Sequence, residues 1–355
     1  MHRNKVIQTL SDLKITVGLV AYNRPEFLKE AVRSVQQQSY ENFELVISND
    51  YPEVPVTFDS LGIKNDSRIK IVNQDPKLGE VRNMNYLLEV AQGEWFVWLC
   101  DDDLLHPEFL MRASKAIIDH QEADVVGVFS GYCAASCPDG VFPTALGLGK
   151  CVRYDAARFL MDYTSRKISL IGCYGIMRVD ILRKVGGMPL LGSSFGPYSD
   201  TLIPILLVEH GKLCWLDEPL VFLRTHVDSL SCKSAEFAAF TSAEADFLKS
   251  LKRVCASPAI NIEQDIVIAN MIRWFSKNEW VVLCRAASLG KFVAAKKFVA
   301  YQLGTNLPRL SVKFRIWHVL YIIRFLCLKL AYGICVGIRA FLQIVQPAVP
   351  WSRSR

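Results

Sequence analysis

The chain has 355 residues, of which 51% are hydrophobic and 21% charged, and this excludes a disordered or fibrous polypeptide. Its net charge of +6 joins two opposite parts: residues 285–355 hold 12 Lys and Arg with no acid, whereas residues 1–284 hold 29 basic and 35 acidic side chains. Such asymmetry directs the tail toward an anionic surface rather than making the whole molecule a polycation.

Residues 14–21 (KITVGLVA) have the composition of a β-strand that stops at YNRP. PEFLKEAVRSVQQQ follows with helical spacing; Phe27, Leu28, Ala31, Val32 and Val35 share one face, and Pro25 suits the first turn. FELVISND and RIKIV are the next strands, GEVRNMNYLLEVAQG is a helix ended by Gly93, and EWFVWLC is a fourth strand. The near-continuous hydrophobicity of that fourth strand predicts a central position with both faces covered. Strands alternating with helices make an α/β layer whose ligands gather at the carboxyl ends of strands, where YNRP, SND and CDDD all lie.

Beyond residue 120 the pattern loosens. DVVGVFSGY reads as a strand, 133–152 as a Gly- and Pro-containing loop, and DAARFLMDYTSR as a helix. GIMRVDILRKVGG reads as a helix ending at a Gly pair, and SDTLIPILLVEHGK as another ending at Gly211. Short strands are expected in LCWLDEPLVFLRTH, several helices over 235–303, and a long apolar, basic helix or broken pair over 313–346. The opening MHRNKVIQTLSDLK lacks an apolar signal core, so the 11 cysteines read as reduced and cytoplasmic. Cys133, Cys137 and Cys151 fit no standard zinc spacing.

One stretch is unexplained by folding. WFVWLC runs straight into Asp101, Asp102 and Asp103, and adjacent like charges repel. Here the chain resembles a known family. VGLVAYNRPEFLKEAVRSVQQQSYENFELVISND, with GEVRNMNYLLEVAQGEWFVWLCDDDLLHPEFL, resembles the amino-terminal half of family 2 glycosyltransferases, inverting enzymes of GT-A fold that use nucleotide-sugar donors. The resemblance covers residues 14–115, continues more weakly over 170–232 and does not reach the tail. It implies a GT-A-type, Rossmann-like mixed sheet flanked by helices, followed by a helical, basic, amphipathic carboxyl-terminal region. The domains expected are a catalytic one at 1–232, a helical extension at 233–310 and a membrane-associating tail at 311–355.

The resemblance also assigns roles. A departing diphosphate needs its charge stabilised, and carboxylates at a strand end suit Mn²⁺ or Mg²⁺. By position relative to Pro107, Asp102 is the expected metal ligand, with Asp103 and His226 in the metal shell; Asp101 and Asp103 also face the donor. Cys100 stands where the family usually carries an acid. Ala21, Tyr22, Asn23 and Arg24, together with Asp50, occupy positions that hold the base, ribose and phosphates in the family, and Arg82 and Asn85 match positions turned toward the donor. The acceptor's general base is expected at Asp200, with Glu209 and Asp217 as alternatives. By residue type alone, Asp200 reads equally as a helix N-cap.

In the tail, Lys313, Arg315, His318, Arg324, Lys329 and Arg339 fall on one helical arc opposite Ile316, Val319, Ile323, Leu330 and Phe341. That is the pattern of a helix lying in an anionic membrane interface, and the interrupting charges argue against a spanning segment. Nucleic acid is not an expected partner, because the basic residues are embedded in hydrocarbon. The expected activity is transfer of a sugar from a nucleotide-sugar, UDP-linked by resemblance, to a lipid-linked or glycan acceptor at the inner face of the plasma membrane, in O-antigen or capsule assembly. Two other readings stay open: a nucleotidyltransferase, although YNRPEF is not a Gly-rich basic loop, and a non-catalytic scaffold of the same fold. The sequence leaves the oligomeric state open.

Overall fold

The computed structural model describes residues 12–120, 124–135, 149–192, 196–226, 237–285, 297–312 and 314–323. The chain divides into two compact units, Met1–Asn270 and Met271–Arg355. The first is built on a nine-stranded mixed sheet. Its strands are β1 (Ile15–Ala21), β2 (Phe43–Asn49), β3 (Ile69–Asn73), β4 (Trp95–Cys100), β5 (Leu104–Leu105), β6 (Val125–Ala135), β7 (Cys151–Tyr154), β8 (Ile176–Arg178) and β9 (Lys212–Arg224). They lie in the order β3-β2-β1-β4-β8-β6-β9-β5, with β7 paired to β9. β1 is parallel to β2 and β4, and β2 to β3, so the ends of β1, β2 and β4 open on one edge. Helices α1 (Pro25–Gln36), α2 (Phe58–Leu61), α3 (Glu80–Val90), α4 (Phe109–Asp119), α5 (Ala156–Thr164), α6 (Val179–Lys184) and α7 (Ser199–Leu207) connect these strands.

Hydrophobicity predicts the centre of the sheet well. Ile15, Val17 and Leu19 of β1 and Phe96, Val97, Trp98 and Leu99 of β4 are fully buried. Burying each such side chain contributes about 1.5–3 kcal/mol, so the central strands are fixed by apolar burial on both faces. α1 turns Leu28, Ala31, Val32 and Val35 inward, as its spacing predicts.

Four local expectations are revised. GIMR is not helical: it forms β8, wedged antiparallel between β4 and β6 through Phe96↔Met177 and Gly127↔Met177. α3 ends at Val90 with Ala91 extended, and Gly93 serves a different purpose. A Cβ on Gly93 would lie 2.7 Å from Thr16 N and 2.8 Å from Lys14 O, so the glycine lets the chain pass against the start of β1. The LCWLDEPLVFLRTH segment is one long, bulged strand rather than several, and α7 stops at Leu207, before Gly211.

In the second unit, buried polar side chains converge on Gln302. Ser276 Oγ donates to its Oε1 at 2.9 Å, its Nε2 donates to Glu279 Oε2 at 2.8 Å, and Asn306 Nδ2 donates to Oε1 at 3.1 Å. His318 Nε2 lies 3.1 Å from the same Oε1 and the residue is 1% exposed, so it does not belong to the solvent-facing basic arc. Val312, Ile316, Trp317, Leu320 and Ile323 are instead exposed. Lys313 and the expected helical residues 324–346 lie outside the described residues. No described helix is long and apolar enough to cross a membrane.

Candidate active site

β1 ends where the chain must turn sharply into α1. Asn23 makes that turn with φ 50°, a left-handed conformation that asparagine tolerates better than most residues. The turn aims two donors at the end of β4. Tyr22 N donates to Asp101 Oδ2 at 2.8 Å, and Arg24 Nη1 bridges Asp101 Oδ1 at 2.8 Å and Asp102 Oδ2 at 3.0 Å. Ala21 accepts the backbone N–H of Asp50 at 2.9 Å, which ties the ends of β1 and β2 together.

The three aspartates are separately held. Asp102 Oδ2 also lies 2.9 Å from His226 Nε2. Asp103 accepts from the Tyr174 hydroxyl and from Arg224 N at 2.9 Å, while the Arg224 guanidinium pairs with Glu30. All three carboxylates are buried, with exposures of 2%, 8% and 8%. Burial pushes Asp101 up to about 6, against the pull of Arg24. Asp103 is raised as well, first by burial and then by the like charge of Asp102. Electrostatically, this cluster is short of positive charge.

Asp200 enters from the far half of the domain, in the first turn of α7. Gly172, in the 3₁₀ turn Gly172–Tyr174, packs against its carbonyl: a Cβ there would stand 1.7 Å from Asp200 O. Burial raises the Asp200 carboxyl, opposed by a backbone hydrogen bond from Thr201 and by the positive charge of Arg166. Tyr198, just before α7, has φ 68°, a strained conformation for an aromatic residue. Glu80, at the first position of α3, links the two groups of acids. Solvent reaches its side chain, yet desolvation by the surrounding protein, and next the charge of Asp200, push it up to about 7; Asp102 and Asp101 add to this and Arg24 opposes it.

The remaining expected residues are spread along the same edge. Asp50 accepts Leu78 N at 2.6 Å and Gly79 N at 2.8 Å, so its carboxylate anchors the loop entering α3. Asn85 is bound to the backbone of Met188 in both directions, at 3.0 and 2.7 Å. Arg82 is exposed and makes no hydrogen bond or ion pair among the described residues. Of the alternative bases, Glu209 pairs with Arg253 at 2.9 Å and Asp217 is exposed. A shallow cleft lined by Ala21, Tyr22, Asn23, Arg24, Asn49 and Val56 among others opens beside the acids. Tyr22 forms part of its wall, with Lys77 Nζ 4.2 Å over its ring and 2.9 Å from its hydroxyl.

Sequence reasoning missed Glu80, Tyr174 and Arg224. An acid opening a helix is an ordinary way to meet the helix dipole, so Glu80 carries no distinguishing signal. Tyr174 reaches Asp103 across 71 positions and Arg224 across 121, separations that only the tertiary fold closes.

A set of buried acids, one bridging arginine and one histidine can hold a divalent cation with oxygen and nitrogen ligands. The donor atoms of Cys100, Asp102 and Asp103 lie within 4.8 Å of one another, so the residues present fit such an ion. The long-range partner of Asp102, His226, brings a further ligand atom to the same carboxylate oxygen.

Comparison with known proteins agrees with this arrangement. Residues 16–185 match the family described as Glycosyl transferase family 2. Protein CgeD of Bacillus subtilis (strain 168) is 31% identical over 120 residues, covering 32% of this chain and 28% of the relative. The GalNAc(5)-diNAcBac-PP-undecaprenol beta-1,3-glucosyltransferase of Campylobacter jejuni is 35% identical over 123 residues, covering 34% of this chain and 38% of the relative. The chain thus matches well under half the length of these curated relatives. In fold it is similar to S. aureus TarS 1-349, with a TM-score of 0.58 at 16% identity over 88% of both chains. The same S. aureus protein in complex with UDP-GlcNAc gives a TM-score of 0.55 at 15% identity, over 88% of this chain and 89% of that one. An aspartate-tipped central strand, its arginine clamp and the matched segment agree: residues 16–185 belong to glycosyl transferase family 2, on a GT-A fold.

Proposed function

We propose that this chain is an inverting glycosyltransferase that moves a sugar from a nucleotide-sugar donor to a glycan or lipid-linked acceptor in cell-surface polysaccharide synthesis. The observation that carries the reading is the Asp101–Asp103 cluster at the end of β4, held by Tyr22, Arg24, Arg224 and His226 from distant parts of the domain. The cleft walled by Tyr22, Asn23 and Asn49 takes the base and ribose, with Asp50 holding the loop beneath it. Asp102, Asp103 and His226 would hold Mn²⁺ or Mg²⁺, which supplies stabilisation of the diphosphate charge.

Arg24 orients Asp101 and Asp102 through its two short contacts and opposes the burial that raises Asp101. Arg82, exposed on the helix that Glu80 opens, completes the donor side, and Asn85 on the same helix fixes the Met188 segment beside it. Asp200 accepts the proton of the attacking acceptor hydroxyl. Its burial favours this: a carboxylate raised by desolvation is a stronger base than one in water. The strain at Tyr198 is in keeping with a positioned group rather than a plain helix cap.

A peripheral position at the inner membrane face is part of the same proposal. It is supported by the basic, acid-free tail and by the exposed apolar strip of Ile316, Trp317, Leu320 and Ile323. A lipid-linked acceptor would then be met at the surface where the enzyme rests, as the name of the C. jejuni relative describes for that protein.

The test is a nucleotide-sugar panel, including UDP-GlcNAc, with Mn²⁺ or Mg²⁺, following release of the nucleoside diphosphate. Asp102→Ala should abolish metal-dependent donor binding, whereas Asp200→Asn should abolish transfer and leave donor binding nearly intact. If no donor binds and Asp102→Ala leaves nucleotide affinity unchanged, the enzyme reading fails.

A further inference from the structure

At the opposite end of β9 from the acids lies a second cluster with different chemistry. His120 closes the carboxyl end of α4, Cys151 begins β7, and Cys214 lies near the start of β9. Their ligand atoms all fall within 4.8 Å of one another. The pairing explains the approach: β7 runs antiparallel to β9 with Arg153↔Cys214 and Cys151↔Leu216, which makes Cys151 and Cys214 diagonal neighbours on one face. The Cys151 thiol faces both the Cys214 thiol and the His120 ring. Both cysteines are free thiols, Cys214 fully buried and Cys151 half-buried.

We propose that His120, Cys151 and Cys214 form a Zn²⁺-type site, separate from the catalytic acids, that clamps α4, β7 and β9 together. Two thiolates and an imidazole are the ligand set of a borderline-soft cation, unlike the oxygen donors at Asp102 and Asp103. Zn–S bonds of about 2.3 Å and Zn–N bonds of about 2.0 Å put tetrahedral ligands roughly 3.5–3.8 Å apart, so the cluster needs only a small contraction. Asp119, within electrostatic reach of Cys151, or a water completes the fourth position. From Cys214 to Arg224 the strand extends roughly 30 Å, which separates this site from the chemistry at Asp103. The ligands stand 31 and 63 positions apart, so their spacing announces nothing in the sequence.

The full chain, reduced and stripped by a chelator, is titrated with Co²⁺ and then with Zn²⁺. Besides any cobalt taken by the acids, one equivalent should bind with thiolate-to-metal charge-transfer absorption and tetrahedral d–d bands, both bleached by Zn²⁺. Cys151→Ser and His120→Asn should each remove or strongly weaken the charge-transfer band, and Cys100→Ser should leave it. Zn²⁺ at a hundredfold excess over its Kd should raise the Tm by roughly 5–10 °C, a rise absent from Cys151→Ser. Cys214 is buried and its loss risks misfolding; the half-buried Cys151 avoids that ambiguity. The proposal is overturned if reduced protein gives no charge-transfer band, or if the band follows Cys100 instead of Cys151. It is equally overturned if the two thiols are found as a disulfide that binds no metal.

Discussion

Replacing Gly172 by alanine tests whether packing alone positions the proposed base. The new Cβ would lie 1.7 Å from Asp200 O, 2.8 Å from Asp200 C and 2.8 Å from Pro204 Cδ. Reaching even the tightest tolerated separation, 3.0 Å, moves one backbone segment about 1.3 Å against the other. Both sides are buried, Gly172 and Cys173 on one and Ser199, Thr201 and Leu202 on the other, so the strain has no easy outlet. Overpacking of this kind costs about 1–3 kcal/mol. A misplacement near 1 Å lowers transfer by about 100-fold, because the base must lie within hydrogen-bond reach of the acceptor hydroxyl. Donor contacts on β1 and β2 lie on other elements, while Tyr174, two residues on, links the shift to Asp103, so donor affinity should fall much less than transfer. The assays are thermal or urea unfolding, donor binding, and nucleoside diphosphate release with acceptor. Wild-type stability and full transfer would refute the packing argument. Loss of donor binding in step with transfer would refute the division between a donor side and an Asp200 side.

Two further outcomes follow from the second unit. Burial, aided by the charge of Arg273, lowers His318 to about 4, whereas an unfolded histidine titrates near 6.5. A depressed pKa means the unfolded chain takes up the proton first, so the unit keeps its full stability above about pH 6.5 and loses it as pH falls toward 4. At pH 5 the loss is about 2 kcal/mol, and His318→Gln should remove that share of the pH dependence of melting; an unchanged dependence would show the ring is not protected. The paired substitution Trp317→Glu, Leu320→Glu should cut flotation with anionic vesicles at least tenfold, since each side chain contributes about 1.5–3 kcal/mol when buried. Undiminished flotation would move the anchor elsewhere.

The alternation of strands and helices up to Asp103 was legible because each segment states its own burial. WFVWLC can only be a covered central strand, and PEFLKEAVRSVQ only a helix with one inward face. The aspartates stood out for the opposite reason, as charge where local folding calls for none. Gly93 was misread because a glycine after a helix looks like a cap, while its actual constraint is a strand some 80 residues earlier. β8 shows the same limit: three residues of mixed pattern become a strand only because β4 and β6 offer unpaired backbone on either side.

Local pattern, then, determined this chain's amino-terminal layer, the sheet edge where the aspartates gather and the segregation of its charge. Tertiary structure decided which distant groups share that edge. It brought Tyr174 and Arg224 to Asp103, His226 to Asp102, and Asp200 within the field of Glu80. It also brought His120, Cys151 and Cys214 together at the other end of β9. The physical reason is the same in each case: hydrophobic period reports a residue's own burial, whereas a site depends on the pairing of strands far apart in sequence, which no local period encodes.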